Sequence, residues 1–194
     1  MGPATLFPSM SFHAGPLPRA LLVAHPVSPW AGLLLGPIAF VSQSGAMGYG
    51  VPAAIAARIA HPDRTVICFA GDGDFQMTCQ ELGTAMQAGA QPVILILNNG
   101  IYGTIRAHQE REYPGRVSGT TMQNPDFVML ARSYGFHAER VETTIDFPSA
   151  FARALASPTG AVLDLNISPE ALTPRQSLTQ IRDAALAKKS VQNG

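Results

Sequence analysis

A doubly wound α/β sheet, mainly parallel with helices on both faces, is the fold class predicted by this sequence. Two short apolar runs, Thr65 to Ala70 (TVICFA) and Pro92 to Leu97 (PVILIL), bracket a helical segment, giving strand, helix and strand within about thirty residues. A crossover of that length joins parallel strands. The composition agrees. The 194 residues are 46% hydrophobic and 13% charged, and a chain of this size buries roughly 70% of its unfolded surface without needing staples.

The elements follow in order. Residues 1–41 carry Arg19 as their one charged side chain before Val41 and prolines at 3, 8, 16, 18, 26, 29 and 37, so no helical or strand period survives there. This stretch reads as an irregular lead-in, either a loop-rich arm or a segment non-native to the domain that occupies 42–194. Gly45 to Ala60 reads as a helix that starts at a glycine-rich turn, with Pro52 in its first turns. Thr78 and Glu81 have capping-box spacing, which predicts a helix from there to about Ala88, stopped at Gly89. Asn124-Pro125-Asp126 predicts an N-cap and an N1 proline for a helix through Tyr134 that ends at Gly135. Strands at Phe136–Val141 and Ala161–Ile167 enclose a helix from about Asp146 to Ala156. A terminal helix from Arg175 to Lys189 places Leu178, Ile181, Ala185 and Leu186 on one face.

Several function classes drop out. Thirteen basic residues balance thirteen acidic ones, which leaves no basic footprint for nucleic acid. The charge-free run from Ala20 to Val41 is long enough to span a bilayer, but Pro26, Pro29 and Pro37 interrupt it and no Lys/Arg cluster flanks it. Neither a membrane span nor a signal peptide is expected. Cys68 and Cys79 form no CxxC, so a reducing, cytoplasmic setting is expected rather than a disulfide scaffold.

Ligands of doubly wound sheets bind where strands end. At the first strand end, Gly71-Asp72-Gly73-Asp74 lets backbone amides approach a phosphate, while its carboxylates would repel one. A divalent cation resolves the conflict, because Mg²⁺ binds one or two protein oxygens together with substrate phosphates. Asn98-Asn99 at the second strand end offers amide oxygens on the same edge. Taken singly, each motif also fits an ordinary turn. An EF-hand fails because Met77 and Gly83 stand where glycine and glutamate are needed, and neither a Walker loop nor a GxGxxG turn exists.

Gly71-Asp72-Gly73, with Asn99 placed 27 positions after Asp72, resembles the thiamin-diphosphate motif of the acetolactate synthase, pyruvate decarboxylase and benzoylformate decarboxylase superfamily. The stretch SGAMGYGVPAAIAA (44–57) resembles the segment that precedes this motif in the acetolactate-synthase-like branch, and the likeness runs over roughly residues 42–187. The resemblance implies the diphosphate-binding domain of an enzyme acting on 2-keto acids by decarboxylation or carboligation, as a lyase or transferase. It implies Asp72, Asn99 and the Ile101 carbonyl as Mg²⁺ ligands. Gly73, Asp74, Tyr102 and Gly103 would contact the diphosphate mainly through backbone amides. Met47 would prop the cofactor into its bent form, and the Gly45 carbonyl would meet its 4′-amino group, so that the cofactor deprotonates its own C2.

The resemblance also implies what this chain lacks. The glutamate that protonates the pyrimidine belongs to a pyrimidine-binding domain across a subunit interface, so no catalytic residue is assigned here. A homo-oligomer and a partner domain on another chain or missing segment are expected, with an inactive isolated chain. A catalytically silent cofactor-binding or assembly fragment is the alternative. His108 stands where acetolactate synthases carry a specificity tryptophan. The charged stretch from Tyr102 to Arg116 fits a substrate or lid loop as well as a solvated surface segment. His61 and His137 are assigned no chemistry.

Overall fold

The computed structural model describes residues 22–23, 38–42, 46–173 and 175–192, with the backbone alone for 22–23, 38–42 and 192. Within these, six strands form one parallel sheet: β1 (Leu22–Val23), β2 (Ile38–Ser42), β3 (Thr65–Gly71), β4 (Val93–Asn98), β5 (His137–Val141) and β6 (Ala161–Asn166). Their order is β1-β2-β3-β4-β6-β5, which puts β3 and β4 at the centre. The helices are α1 (Gly50–Ala60), α2 (Asp72–Thr78), α3 (Glu81–Ala88), α4 (Gly103–Glu112), α5 (Phe127–Ser133), α6 (Phe147–Ala156) and α7 (Leu178–Gln192).

Both faces of the sheet are covered. Along β3 the side chains alternate: Val66, Cys68 and Ala70 join Ile94, Ile96 and Val162 under α1, α2, α3 and α5, while Ile67 joins Val93, Leu95 and Leu163 under α6. Phe75 of α2 and Phe127 of α5 meet edge to face at 5.5 Å between ring centroids, tying two helices over one side of the strand ends. On the other side Phe147 and Phe151 of α6 stack at 5.3 Å. The doubly wound parallel expectation is met.

Some local expectations need correction. The lead-in and the domain were expected to meet at 41/42, but β2 runs through that position and pairs with β3 from Ile38↔Thr65 onward; residues 1–21 and 24–37 lie outside the described residues. The first helix starts at Gly50, not Gly45. The Thr78/Glu81 capping box does not form: Thr78 closes α2 and gives its hydroxyl to the Gly48 carbonyl at 3.1 Å, while Glu81 accepts from Thr84 at 2.7 Å. Gly89 does end α3, at φ +66°. Asn124 is not the cap of α5: its side chain is taken by Asp72, Asn98 and Gln76, and Asp126 caps instead, accepting from the Met129 amide at 2.9 Å. The stretch from Tyr102 to Arg116 is mostly helix α4 rather than loop. In α7, Leu178, Ile181 and Ala185 are buried as expected, but Leu186 is 48% exposed.

Candidate functional site

The register Gly71↔Leu97 brings the C-terminal ends of β3 and β4 level, so Asp72 and Asn98 emerge side by side. Asp72 is only 3% exposed. Its Oδ1 accepts from the Gly73 amide at 3.0 Å, and its Oδ2 from the Gly100 amide at 2.8 Å and from Asn124 Nδ2 at 2.7 Å. All three donors are neutral, so the negative charge is held in place but not cancelled. Asn99 Oδ1 accepts from the Ile101 amide at 3.1 Å, the local turn that its side chain favours.

After Asn99 the chain passes Gly100, at φ +69°, and forms an antiparallel bridge between Ile101 and Thr121. Its hydrogen bonds run from Tyr102 N to the Thr120 carbonyl at 2.9 Å and from Met122 N to the Gly100 carbonyl at 2.8 Å. Ile101 and Thr121 are therefore the non-hydrogen-bonded pair, and the Ile101 carbonyl is not spent on that segment. α4 begins at Gly103, with first-turn amides that have no acceptor within the helix. Met47, Gly71, Asp72, Gly73 and Asp74 face Ile101 to Ile105 across an open cleft of about 90 Å³. Gly73 packs closely on this wall, since a Cβ would stand 2.5 Å from Tyr102 Cε1.

α2 also holds the turn that carries Met47. Gly48, at φ +83°, donates its amide to Asp74 Oδ1 and receives the Thr78 hydroxyl on its carbonyl. Asp74 Oδ2 is buried with no partner among the described residues. Burial holds the Asp74 carboxyl above the usual carboxylate range, offset in part by the Gly48 amide. Burial and the nearby Asp74 charge push the Cys68 thiol to about 12, which keeps it an inert core residue.

The family described as thiamine pyrophosphate enzyme, C-terminal TPP binding domain, matches residues 35–165. The chain belongs to this family. It is similar to an acetolactate synthase of Arthrospira platensis, with 38% identity over 145 residues, covering 72% of this chain and 25% of that protein. It is likewise similar to the acetolactate synthase large subunit of Haemophilus influenzae, with 41% identity over 126 residues, 64% of this chain and 22% of that one. Among solved structures it resembles a thiamine diphosphate-dependent 4-hydroxybenzoylformate decarboxylase of Rhodococcus jostii at a TM-score of 0.63 and 32% identity, covering 77% of this chain and 29% of that one. The chain thus spans about a quarter of the length of the relatives it matches.

Of the residues expected in this TPP-binding domain, Met47, Asp72, Gly73, Asp74, Ile101, Tyr102 and Gly103 line the one cleft, and Asn99 adjoins it through its bond to Ile101. Gly45 lies outside the described residues. Two of the amides expected to meet the diphosphate have partners within the chain. The Tyr102 amide is spent on Thr120, and the Gly73 amide is turned to Asp72. The Asp74 carboxylate serves the Met47 turn. His108 is exposed on α4 against Arg111, away from the cleft. His137 pairs with Glu139 at 2.7 Å. The sequence reading missed Thr104 and Ile105, which follow from α4 starting at Gly103, and it missed Asn124. By its place before Pro125 Asn124 reads as an N-cap, and only the fold shows that Asp126 holds that role. Among the described residues no helix is long and apolar enough to cross a membrane.

Proposed function

We propose that this TPP-binding domain holds thiamin diphosphate through a Mg²⁺ ion bound by Asp72, Asn99 and the Ile101 carbonyl, in an acetolactate-synthase-like enzyme acting on 2-keto acids. The observation that carries this reading is the Asp72 carboxylate, buried at a strand end and bonded only to neutral donors, beside two uncharged oxygens. Carboxylate, amide and carbonyl oxygens are the hard donors Mg²⁺ takes, with phosphate oxygens completing the shell. The free amides of Gly103, Thr104 and Ile105 at the positive end of α4 would receive the diphosphate. Met47 faces Ile101 to Ile105 from the opposite wall, where an apolar prop for the rings is required. The bound cofactor supplies the carbanion that attacks the keto carbonyl.

The reading includes a partner. A glutamate must protonate the pyrimidine, and none of Glu81, Glu110 and Glu112 lines the cleft. Glu81 accepts from Thr84, Glu112 is exposed on α4, and Glu110 is locked between Arg106 at 3.0 Å and Arg182 at 2.9 Å. The glutamate would come from a pyrimidine-binding domain on another chain or segment, in a homo-oligomer formed in a reducing cytoplasmic compartment. The isolated chain is then a cofactor binder without turnover. Exposed Met77 on α2, beside Gly48 of the Met47 turn, and exposed Met86 on α3, beside Gly135, offer apolar surface for such an assembly.

Calorimetric titration with thiamin diphosphate tests the reading: binding requires Mg²⁺, and Asp72→Ala and Asn99→Ala each abolish that requirement's effect. Wild-type affinity and Mg²⁺ dependence in either variant would sink the metal assignment. Adding a pyrimidine-binding domain should start CO₂ release from a 2-keto acid. Cofactor binding without release in that mixture would favour the silent module instead.

A further inference from the structure

Asn124 lies in the segment between α4 and α5, far in sequence from the cleft, and its side chain is fully used. Its Nδ2 donates to Asp72 Oδ2 at 2.7 Å and to Asn98 Oδ1 at 2.9 Å, and its Oδ1 accepts from Gln76 Nε2 at 2.8 Å. One amide therefore joins the end of β3, the end of β4 and the middle of α2. Asn98 passes the chain on: its Nδ2 donates to Asp164 Oδ1 at 2.8 Å, and Asp164 Oδ2 accepts from Arg140 Nε at 3.0 Å. Asp164 on β6 is 1% exposed, so the anchoring end of this chain is buried and ion-paired.

A helix cap explains none of this, because Asp126 caps α5. An Asx side chain kept for loop folding would bond its own backbone neighbours; that of Asn124 reaches 26, 48 and 52 positions along the chain instead. We propose that Asn124 is the positioning residue for the metal ligand Asp72, occupying Oδ2 so that the singly bonded Oδ1 is the oxygen offered to the cation, and fixing how far Asp72 stands from Asn99. The inference rests on the Mg²⁺ reading above. Without the Asn124 amide, Asp72 Oδ2 keeps one donor, the Gly100 amide, and the carboxylate is held by two backbone bonds instead of three bonds in all. The ends of β3 and β4 also lose their shared tie.

Outer partners of metal ligands change affinity by on the order of 10- to 100-fold when removed. The test is a Mg²⁺ titration of the full chain at fixed thiamin diphosphate, read by calorimetry. Asn124→Ala should weaken Mg²⁺ binding at least tenfold, Gln76→Ala by less, and Asn124→Ser should recover part of the loss through its hydroxyl donor. Asp126→Ala, which removes the cap two residues away, should lower the melting temperature and leave Mg²⁺ affinity as it was. Wild-type Mg²⁺ affinity in folded Asn124→Ala, or an equal loss in Asp126→Ala, would overturn the proposal. If Asn124→Ala does not fold, Asn124→Ser and Gln76→Ala decide it in the same way. Asp72→Ala separates the two levels: an unchanged Mg²⁺ dependence there would mean that the metal reading has failed, whereas loss there with none in Asn124→Ala would mean that only the positioning role has.

Discussion

Asp72 and Glu110 are both buried carboxylates, 3% and 1% exposed, yet they are held in opposite ways. Glu110 faces two guanidiniums, Arg106 from its own helix and Arg182 from α7, and accepts from the Gly115 amide at 2.8 Å. Its charge is cancelled where it sits. Asp72 has three hydrogen bonds and no cation. Burial alone therefore does not mark a site; a carboxylate that is fully bonded but not neutralised does, because it retains attraction for an ion from solution.

The comparison is broken most sharply by a matched pair of isosteric changes. Asp72→Asn should cost at least 100-fold in Mg²⁺-dependent cofactor affinity while circular dichroism stays that of the folded chain. Glu110→Gln should leave that affinity within twofold and lower unfolding stability by about 3 kcal/mol in urea, because two guanidiniums lose their buried counter-charge. Equal effects of the two on affinity would erase the distinction.

Acid sharpens it. The Arg182 hydrogen bond, ahead of the Gly115 and Arg106 bonds, holds Glu110 down at about 2 against its ordinary 4.5. A carboxylate depressed in the folded state stabilises it fully above pH 4.5, and the contribution disappears as pH falls toward 2. Urea melts across this window should show a steeper loss in wild type than in Glu110→Gln. Parallel curves would mean that the α4–α7 pairing does not persist in solution.

The smallest effects come from two glycines of the cleft. Gly73→Ala sets a methyl against the rigid Tyr102 ring and should cost about 1 kcal/mol. Gly103→Ala meets the movable end of Leu172, with Cδ2 at 2.7 Å, and should cost less than about 0.5 kcal/mol by thermal melting. The reverse order would show that the Tyr102 ring is the more mobile wall.

What could be read in advance followed from local chemistry. The buried parallel strands β3, β4 and β6 announce themselves as apolar runs, and Gly89 and Gly135 end helices where left-handed backbone is needed. Gly71 to Asp74 and Asn99 followed from two strand-end motifs, whereas Met47, Ile101, Tyr102 and Gly103 followed from the family resemblance. What stayed hidden depends on partners far along the chain. Thr78 has capping chemistry but finds the Gly48 carbonyl 30 positions away, and Asn124 finds Asp72 at 52. Glu110 reads as a surface charge until α7 delivers Arg182 from 72 positions on. Side chains with two possible uses are decided by tertiary distance, which spacing along the sequence does not encode.

The grip of Asp74 and Thr78 on Gly48 makes α2 a gauge. The helix begins at Asp72 and ends at Thr78, six steps that rise roughly 9 Å. The Asp72 carboxylate and the clamp that steadies the Met47 turn are thus graduations on one short rod. Tilting or sliding α2 carries both together, so the spacing of Asp72 from the Met47 turn along this wall is set by helix pitch, while the facing wall from Ile101 to Ile105 is carried by β4 and α4. A substitution that lengthens or kinks this single rod would miscalibrate the cleft even with every residue lining it unchanged.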